Sequence, residues 1–328
     1  MIKNQWYAVL ESNQVPAKKP VGVTRMGEKL VFWRTPEGQI SCLRDRCPHR
    51  GAALSTGKVI NGHLQCPFHG FEFDATGQCA VIPALGAEVD PPRAMRAEGY
   101  PVREENGFVW LWWGEAQESY PPLPFFDSLG EEFNYVTIRD HWHTHYSRAI
   151  ENQLDVVHLP FIHSTTIGRG NRTVVDGPVQ RWACELEEEC DLLNIWVMNR
   201  VEDGEPARRE RELPEPDRRP FLQFQFPNIW HNWISDQVRV MVAFAPIDEA
   251  NTLLYLRFYQ KISNLPLVKH LIHGAGALGN LVIARQDKWV VETQQPRRSG
   301  LKIGETLIPG DSPIIAYRRR RRELIQQV

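Results

Sequence analysis

Several absences narrow what this chain can be. No uncharged hydrophobic run reads as approaching the length of a membrane-spanning helix. The net charge is only −2 over 328 residues, too little to drive nucleic-acid binding by bulk charge. The opening Met1-Ile-Lys-Asn-Gln-Trp6 lacks the apolar core of a signal peptide, so a cytoplasmic protein with neither membrane nor nucleic-acid partners is expected. Cysteine is scarce, six in all, and shows no framework spacing. Cys42, Cys79, Cys184 and Cys190 are therefore read as reduced, partly buried thiols outside any ligand set. No Cys-x4-Cys-x2-Cys run of a plant-type ferredoxin occurs. Gly274-Ala-Gly276-Ala-Leu-Gly279 matches a dinucleotide fingerprint by letter alone. No clear strand precedes it and no βαβ unit surrounds it, so it reads as a helix or turn of small residues.

What is present is more specific. Cys47-Pro-His49-Arg-Gly51 and Cys66-Pro-Phe-His69-Gly70 stand sixteen residues apart, counted from His49 to Cys66. Each pair mixes Cys with His, whereas a zinc finger groups Cys with Cys and His with His. Two thiolates and two imidazoles can hold a [2Fe-2S] cluster with the thiolates on one iron and the imidazoles on the other. The neutral imidazoles raise its reduction potential. Pro48 and Pro67 stiffen the loops, and Gly51 and Gly70 free the backbone beside the cluster. These residues resemble the Rieske family over about residues 5 to 115. Respiratory members carry a loop-to-loop cysteine pair; Ala52 and Phe68 stand there instead, which resembles the disulfide-free oxygenase and ferredoxin branch.

A second constellation lies in Glu151-Asn152-Gln-Leu-Asp155-Val-Val-His158-Leu-Pro160-Phe-Ile-His163. Asn152, Asp155 and His158 recur at three-residue steps, which places them on one face of a helix over about 147–159. Pro160 is expected to end or kink that helix and bring His163 back toward the same point. Two imidazoles and one carboxylate make the facial triad of mononuclear iron oxygenases, with open positions for dioxygen and substrate. On the residues alone the carboxylate is open.

With both constellations in one chain, it resembles the oxygenase (α) component of Rieske non-heme iron oxygenases over nearly its whole length. The resemblance implies an α+β fold: an N-terminal antiparallel β-sandwich at 1–118 and a C-terminal helix-grip, START-like domain at 119–328. It implies a [2Fe-2S] cluster on Cys47, His49, Cys66 and His69, and one Fe(II) on His158, His163 and Asp287, with Glu292 the second choice as carboxylate. Asp155, together with Asn152, becomes a catalytic residue: Asp155 bridges His69 of one subunit to His158 of the next in a homotrimer. Electrons come from NAD(P)H through a separate reductase or ferredoxin. The compact chain resembles single-subunit monooxygenases of the dicamba and vanillate O-demethylase type. Hydroxylation or oxidative demethylation of a small aromatic or cyclic substrate is expected, ahead of ring cis-dihydroxylation or pure electron transfer.

Remaining features have expectations of their own. Short β-rich runs and turns fill residues 1 to 115, and Pro121-Pro122-Leu-Pro124 marks an extended linker. Further strands are expected near 134–146, 195–201, 238–245 and 253–260, and helices near 266–295 and 311–325. Residues 202 to 220 read as a solvated loop before an active-site lid. His141, His143 and His145 alternate, as on one face of a strand. Arg318 to Arg322 read as a solvated helix face, with docking of an acidic ferredoxin as second reading. Ile229, Trp230, His231 and Trp233 are taken as pocket residues.

Overall fold

The computed structural model describes all residues except 87–88, 169–173, 185–190, 199 and 328. The chain divides into two compact units. One comprises Met1, Lys3–Leu123 and Pro246–Asp248; the other comprises Ile2, Pro124–Ala245 and Glu249–Val328.

The first unit is almost wholly β. Its strands are β1 (Gln5–Glu11), β2 (Val21–Arg25), β3 (Glu28–Arg34), β4 (Ile40–Arg44), β5 (Lys58–Ile60), β6 (His63–Gln65), β7 (Glu72–Phe73), β8 (Cys79–Val81), β9 (Gly99–Tyr100), β10 (Val102–Glu105) and β11 (Phe108–Trp113). They pair as three antiparallel sheets, β1-β11-β10, β2-β3-β4-β9 and β5-β6-β7-β8. The Asn106-Gly107 step closes the β10–β11 hairpin with both residues at positive φ (54° and 72°), the geometry a tight hairpin turn needs. Every residue of β11 is buried, because this central strand is covered on both faces. A second core, built on Val31, Trp33, Leu43, Leu64 and Phe73, takes in Cys47 and Cys66.

The second unit comprises β12 (Asn134–Trp142), α1 (Tyr146–Leu154), α2 (Leu159–Ile162), β13 (Val174–Val175), β14 (Pro178–Trp182), β15 (Leu192–Val197), β16 (Arg200–Val201), β17 (Leu222–Gln225), β18 (Ile229–Trp233), β19 (Val238–Pro246), β20 (Thr252–Gln260), α3 (Pro266–Val291) and α4 (Ser312–Gln326). A seven-stranded sheet runs β12-β20-β19-β18-β17-β15-β14. Six of its strands, β14 to β20, lie side by side in chain order, and the first, β12, returns beside the last. Helix α3 lies across β12 and β20. Its buried residues, Asn280, Ala284, Asp287 and Val291, form one stripe at three- and four-residue steps. A Cβ on Gly276 would sit 2.4 Å from the Phe258 ring, so this glycine lets α3 approach β20 closely. The Gly274–Gly279 motif is thus part of a packing helix.

Several expectations are corrected. Helix α3 is 26 residues long and, by length and composition alone, apolar enough to cross a membrane; the sequence reading overlooked it because its polar residues are widely spaced. One such helix is weak evidence by itself; one stripe of α3 packs on the sheet and buries Asp287, while Leu267, Leu271, Leu278 and Trp289 stay exposed. His141, His143 and His145 do not share a strand face. The strand ends at Trp142, the rings of His141 and His143 meet edge to face at the surface, and buried His145 caps α1 by accepting from the Ser147 amide. Burial first, then nearby Arg321, pushes His145 down to about 2, so it stays neutral. Cys184 is disulfide-bonded rather than reduced, at an exposed position just past β14 where no core shields its thiol. Cys190 lies outside the described residues. Much of the 202–220 stretch is exposed as expected, and Arg181 of β14 ties it down through Glu210 and Glu215.

The arginine run is the largest correction. Arg318, Arg320 and Arg321 are only 4–5% exposed, while Arg319 and Arg322 face solvent. Arg318 grips Glu151 of α1 with Nε at 2.7 Å from Oε1 and Nη2 at 2.8 Å from Oε2. Arg148 joins at 3.2 Å from Glu151, and Glu305 accepts from both Arg148 and Arg318 at 2.7 Å. Two cations and two anions therefore share one buried cluster that ties α1 to α4. Removing one member leaves one buried charge of the opposite sign uncompensated. Arg318→Ala should destabilise by about 3–5 kcal/mol in denaturant unfolding, whereas Arg319→Ala should stay within about 0.5 kcal/mol.

Candidate active site

In the first unit the two Cys–His loops are copies of one backbone pattern. The Cys47 amide donates to Ala52 O at 2.7 Å and the Gly51 amide to Cys47 O at 2.9 Å; the Cys66 amide donates to Phe71 O at 2.7 Å and the Gly70 amide to Cys66 O at 3.1 Å. Gly51 and Gly70 close these turns at φ of 76° and 75°, where a side chain is strained. Both cysteines are 2% exposed, while His49 and His69 lie at the surface with ring centroids 4.8 Å apart. Burial, with Cys66 alongside, pushes the Cys47 thiol up to about 11, so a thiolate here needs a metal to hold it. Two buried sulfurs facing two outward imidazoles fit a cluster with one iron inside and one at the surface.

In the second unit, helix α1 stops earlier than the sequence suggests. Asp155 is its C-cap, and its Oδ1 accepts from the amides of Val157 (2.8 Å) and His158 (3.3 Å). The backbone of Asp155 ends α1, its amide closing the last turn on Glu151 O and its ψ turning to 125°, while its side chain orders the turn that leads into α2. Pro160 sits in the first turn of α2 and so opens a helix rather than closing one, as its missing N–H permits there. Asn152, Asp155 and His158 consequently do not share a continuous helix face. His158 and His163 flank the single turn of α2, which points both imidazoles at one spot.

Asp287 reaches that spot from the buried stripe of α3. His158 Nε2 and His163 Nε2 are 3.2 Å apart, and Asp287 Oδ1 lies 3.5 and 3.0 Å from them. Three ligands on adjacent octahedral positions at about 2.1 Å from a metal would be roughly 3 Å apart. Asp287 Oδ1 is buried without a hydrogen-bond partner, as a ligand atom awaiting a cation would be. Its other oxygen is 3.4 Å from Gln153 Nε2. Burial works to raise Asp287, but the two imidazoles outweigh it and hold the carboxyl below its usual range. Burial likewise opposes charge on His158, yet Asp155 and Asp287 raise it to about 9. Glu292, the alternative carboxylate, accepts from the His143 amide at 2.7 Å instead.

Residues not foreseen hold the ligands in place. Gln286 Oε1 lies 2.9 Å from His163 Nδ1, so with Nδ1 protonated the Nε2 lone pair faces the Asp287 side. Thr166 and Thr165 hydrogen-bond Gln286 in turn, at 2.7 and 3.0 Å. A glutamine next to a candidate aspartate was the only signal in the sequence.

The triad opens on a cavity of about 480 Å³ between the sheet and α3. Of the four residues expected there, only Trp230 lines it; Asn232 and Ile234 follow at period two. Ile229, His231 and Trp233 point to the other face. His231 packs there against Phe126, with centroids 5.0 Å apart, and burial with Arg239 pushes it down to about 3.

Comparison with known proteins agrees with this layout. Residues 5–101 match the Rieske [2Fe-2S] domain and residues 142–327 the vanillate O-demethylase oxygenase C-terminal domain. The class is therefore a Rieske domain followed by an oxygenase domain. The chain belongs to the vanillate O-demethylase oxygenase family. The oxygenase component of dicamba O-demethylase from Stenotrophomonas maltophilia is 33% identical over 55% of this chain and 55% of its own length. Protein TIC 55 of Arabidopsis thaliana is 34% identical over 49% of this chain, but only 30% of TIC 55 is spanned. The chain thus spans less than two thirds of the length of either relative. The crystal structure of dicamba monooxygenase bound to dicamba superposes with a TM-score of 0.75 at 22% identity, covering 100% of this chain and 98% of that one.

Gln286→Leu should leave the fold intact but weaken divalent-metal affinity by roughly 10- to 100-fold in chelator competition. Glu292→Ala should leave that affinity unchanged.

Proposed function

We propose that this chain is a terminal oxygenase that inserts one oxygen atom of O2 into a small aromatic or cyclic substrate, by hydroxylation or oxidative demethylation. The observation that carries this reading is the convergence of His158, His163 and Asp287 at 3.0–3.5 Å on the wall of an apolar cavity. Iron bound there would supply the oxygen chemistry, with coordination positions left open toward the cavity. The overall reaction consumes substrate, O2, two electrons and two protons, and releases oxygenated product and water. A [2Fe-2S] cluster held by Cys47, His49, Cys66 and His69 would supply single electrons taken from a separate reductase or ferredoxin.

The residues of this chain bind, orient and relay. Gln286 and Asp155 set the two imidazoles, Gln153 steadies Asp287, and the apolar walls exclude water from the reacting carbon. His69 is exposed on its loop, and the Asp155 side chain keeps 26% of its surface open. We assign the electron's route from His69 of one copy to Asp155 of a neighbouring copy in a homotrimer, with Asp155 linking electron arrival to the protonation of the imidazoles. Asn152 lines the cavity beside this relay.

Iron analysis of the purified protein should give about three irons per chain, two in the cluster and one at the triad; a value of about two would point to an electron carrier instead. Asp287→Ala should lose the single iron and keep the cluster. Asp155→Ala should keep both metals and lower substrate-dependent oxygen uptake by roughly 100-fold. Full uptake in a metal-replete Asp155→Ala protein would remove the relay, and a cis-diol product would move the assignment to ring dihydroxylation.

A further inference from the structure

We infer that the cavity selects an uncharged ring compound bearing both a hydrogen-bond donor and an acceptor, such as an aromatic amide, and rejects the matching carboxylate. This rests on the oxygenase reading only in naming the bound molecule as substrate. Among the described lining residues the ionisable ones are Asp155, His158, His163 and Asp287, all at the triad end. Among the described residues no lysine or arginine lines the remainder. The strand positions that face the cavity from β19 and β20, Val238, Val240, Val242, Leu254, Leu256 and Phe258, are all aliphatic or aromatic. A carboxylate placed there would lose its hydration and gain no counter-ion.

The same walls carry three buried polar atoms without partners: Trp230 Nε1, Asn232 Oδ1 and Asn280 Nδ2. Buried polar groups are normally satisfied, so three orphans around one cavity call for a ligand that pairs them. Asn232 projects from the sheet and Asn280 from α3, which puts hydrogen-bonding groups on two opposing walls. Two indole or amide N–H donors and one amide oxygen match a neutral carbonyl with its adjacent N–H. At about 480 Å³ the space suits one or two fused rings with small substituents.

The test is a binding titration of the oxidised, metal-loaded protein, without reductant, using the near-isosteric pair 4-methoxybenzamide and 4-methoxybenzoate. Binding to the whole chain also reads any contribution from Arg169 and Arg172, which lie outside the described residues. The amide should bind at least about tenfold more tightly than the acid. Asn232→Leu and Asn280→Leu should each weaken amide binding by roughly five- to tenfold with little change for the acid, and Val240→Arg should shift the preference toward the acid. Equal or tighter binding of the acid by the wild-type protein would overturn the inference, as would no amide binding at millimolar concentration. Oxygen uptake with a surrogate reductase separates the two readings. An amide that binds tightly without uptake counts against the oxygenase and leaves the recognition standing. An acid that binds and is oxidised leaves the oxygenase standing and removes the neutral-substrate inference.

Discussion

Two imidazole nitrogens and one carboxylate oxygen are held 3.0–3.5 Å apart on the wall of a largely apolar pocket, and the second unit is arranged around keeping them there. The two imidazole nitrogens are the nearest groups to the buried Asp287 Oδ1 and offset its lost hydration, an office a cation bound among the three would take over. Rigid supports hold the set in place. One turn of helix fixes the two histidines relative to each other. The buried stripe of a 26-residue helix brings the aspartate. The Glu151–Arg148–Arg318–Glu305 cluster anchors α1, which carries Asn152 and Gln153 to the site.

The first unit solves a similar problem by duplication. Two loops with one hydrogen-bond pattern put their sulfurs in the core and their imidazoles at the surface. Burial raises the thiol and so favours metal-bound sulfur over free thiolate, while the exposed histidines give an electron a way out. Outward His49 and His69 would leave the imidazole side of a cluster held there open to solvent protons, which would suit coupled proton and electron transfer.

Much of this was legible in the chain. The Cys-Pro-x-x-Gly repeat with inserted histidines is local, and short loops carry their chemistry in consecutive residues. Strands 238–246 and 252–260 and helices α3 and α4 fell close to the positions their patterns suggested. The failures have physical causes. A run of five arginines looks solvated by composition, yet at helical spacing three of the five face inward, and only the fold supplies Glu151, Glu305 and Asp191 as their partners. The end of α1 was misplaced because Pro160 looked like a breaker, while the backbone had already turned extended at Asp155, whose side chain holds the next turn by accepting from the Val157 and His158 amides. Four neighbouring residues at 229–233 were grouped as lining, although a strand shows only alternate side chains to one face.

By itself the sequence determined the family, the two Cys–His loops and the nearness of His158 to His163, because these reside in contiguous residues whose spacing is short against the persistence of a loop or a turn. Tertiary structure decided which carboxylate joins them. Asp287 and Glu292 are five residues apart and chemically alike. Only the packing of α3 on β12 and β20 turns the first inward and leaves the second to the His143 amide. It decided as well that the cavity carries unpaired amides and no described cation, since that depends on which faces of β18, β19, β20 and α3 meet, a relation between segments that no local pattern encodes.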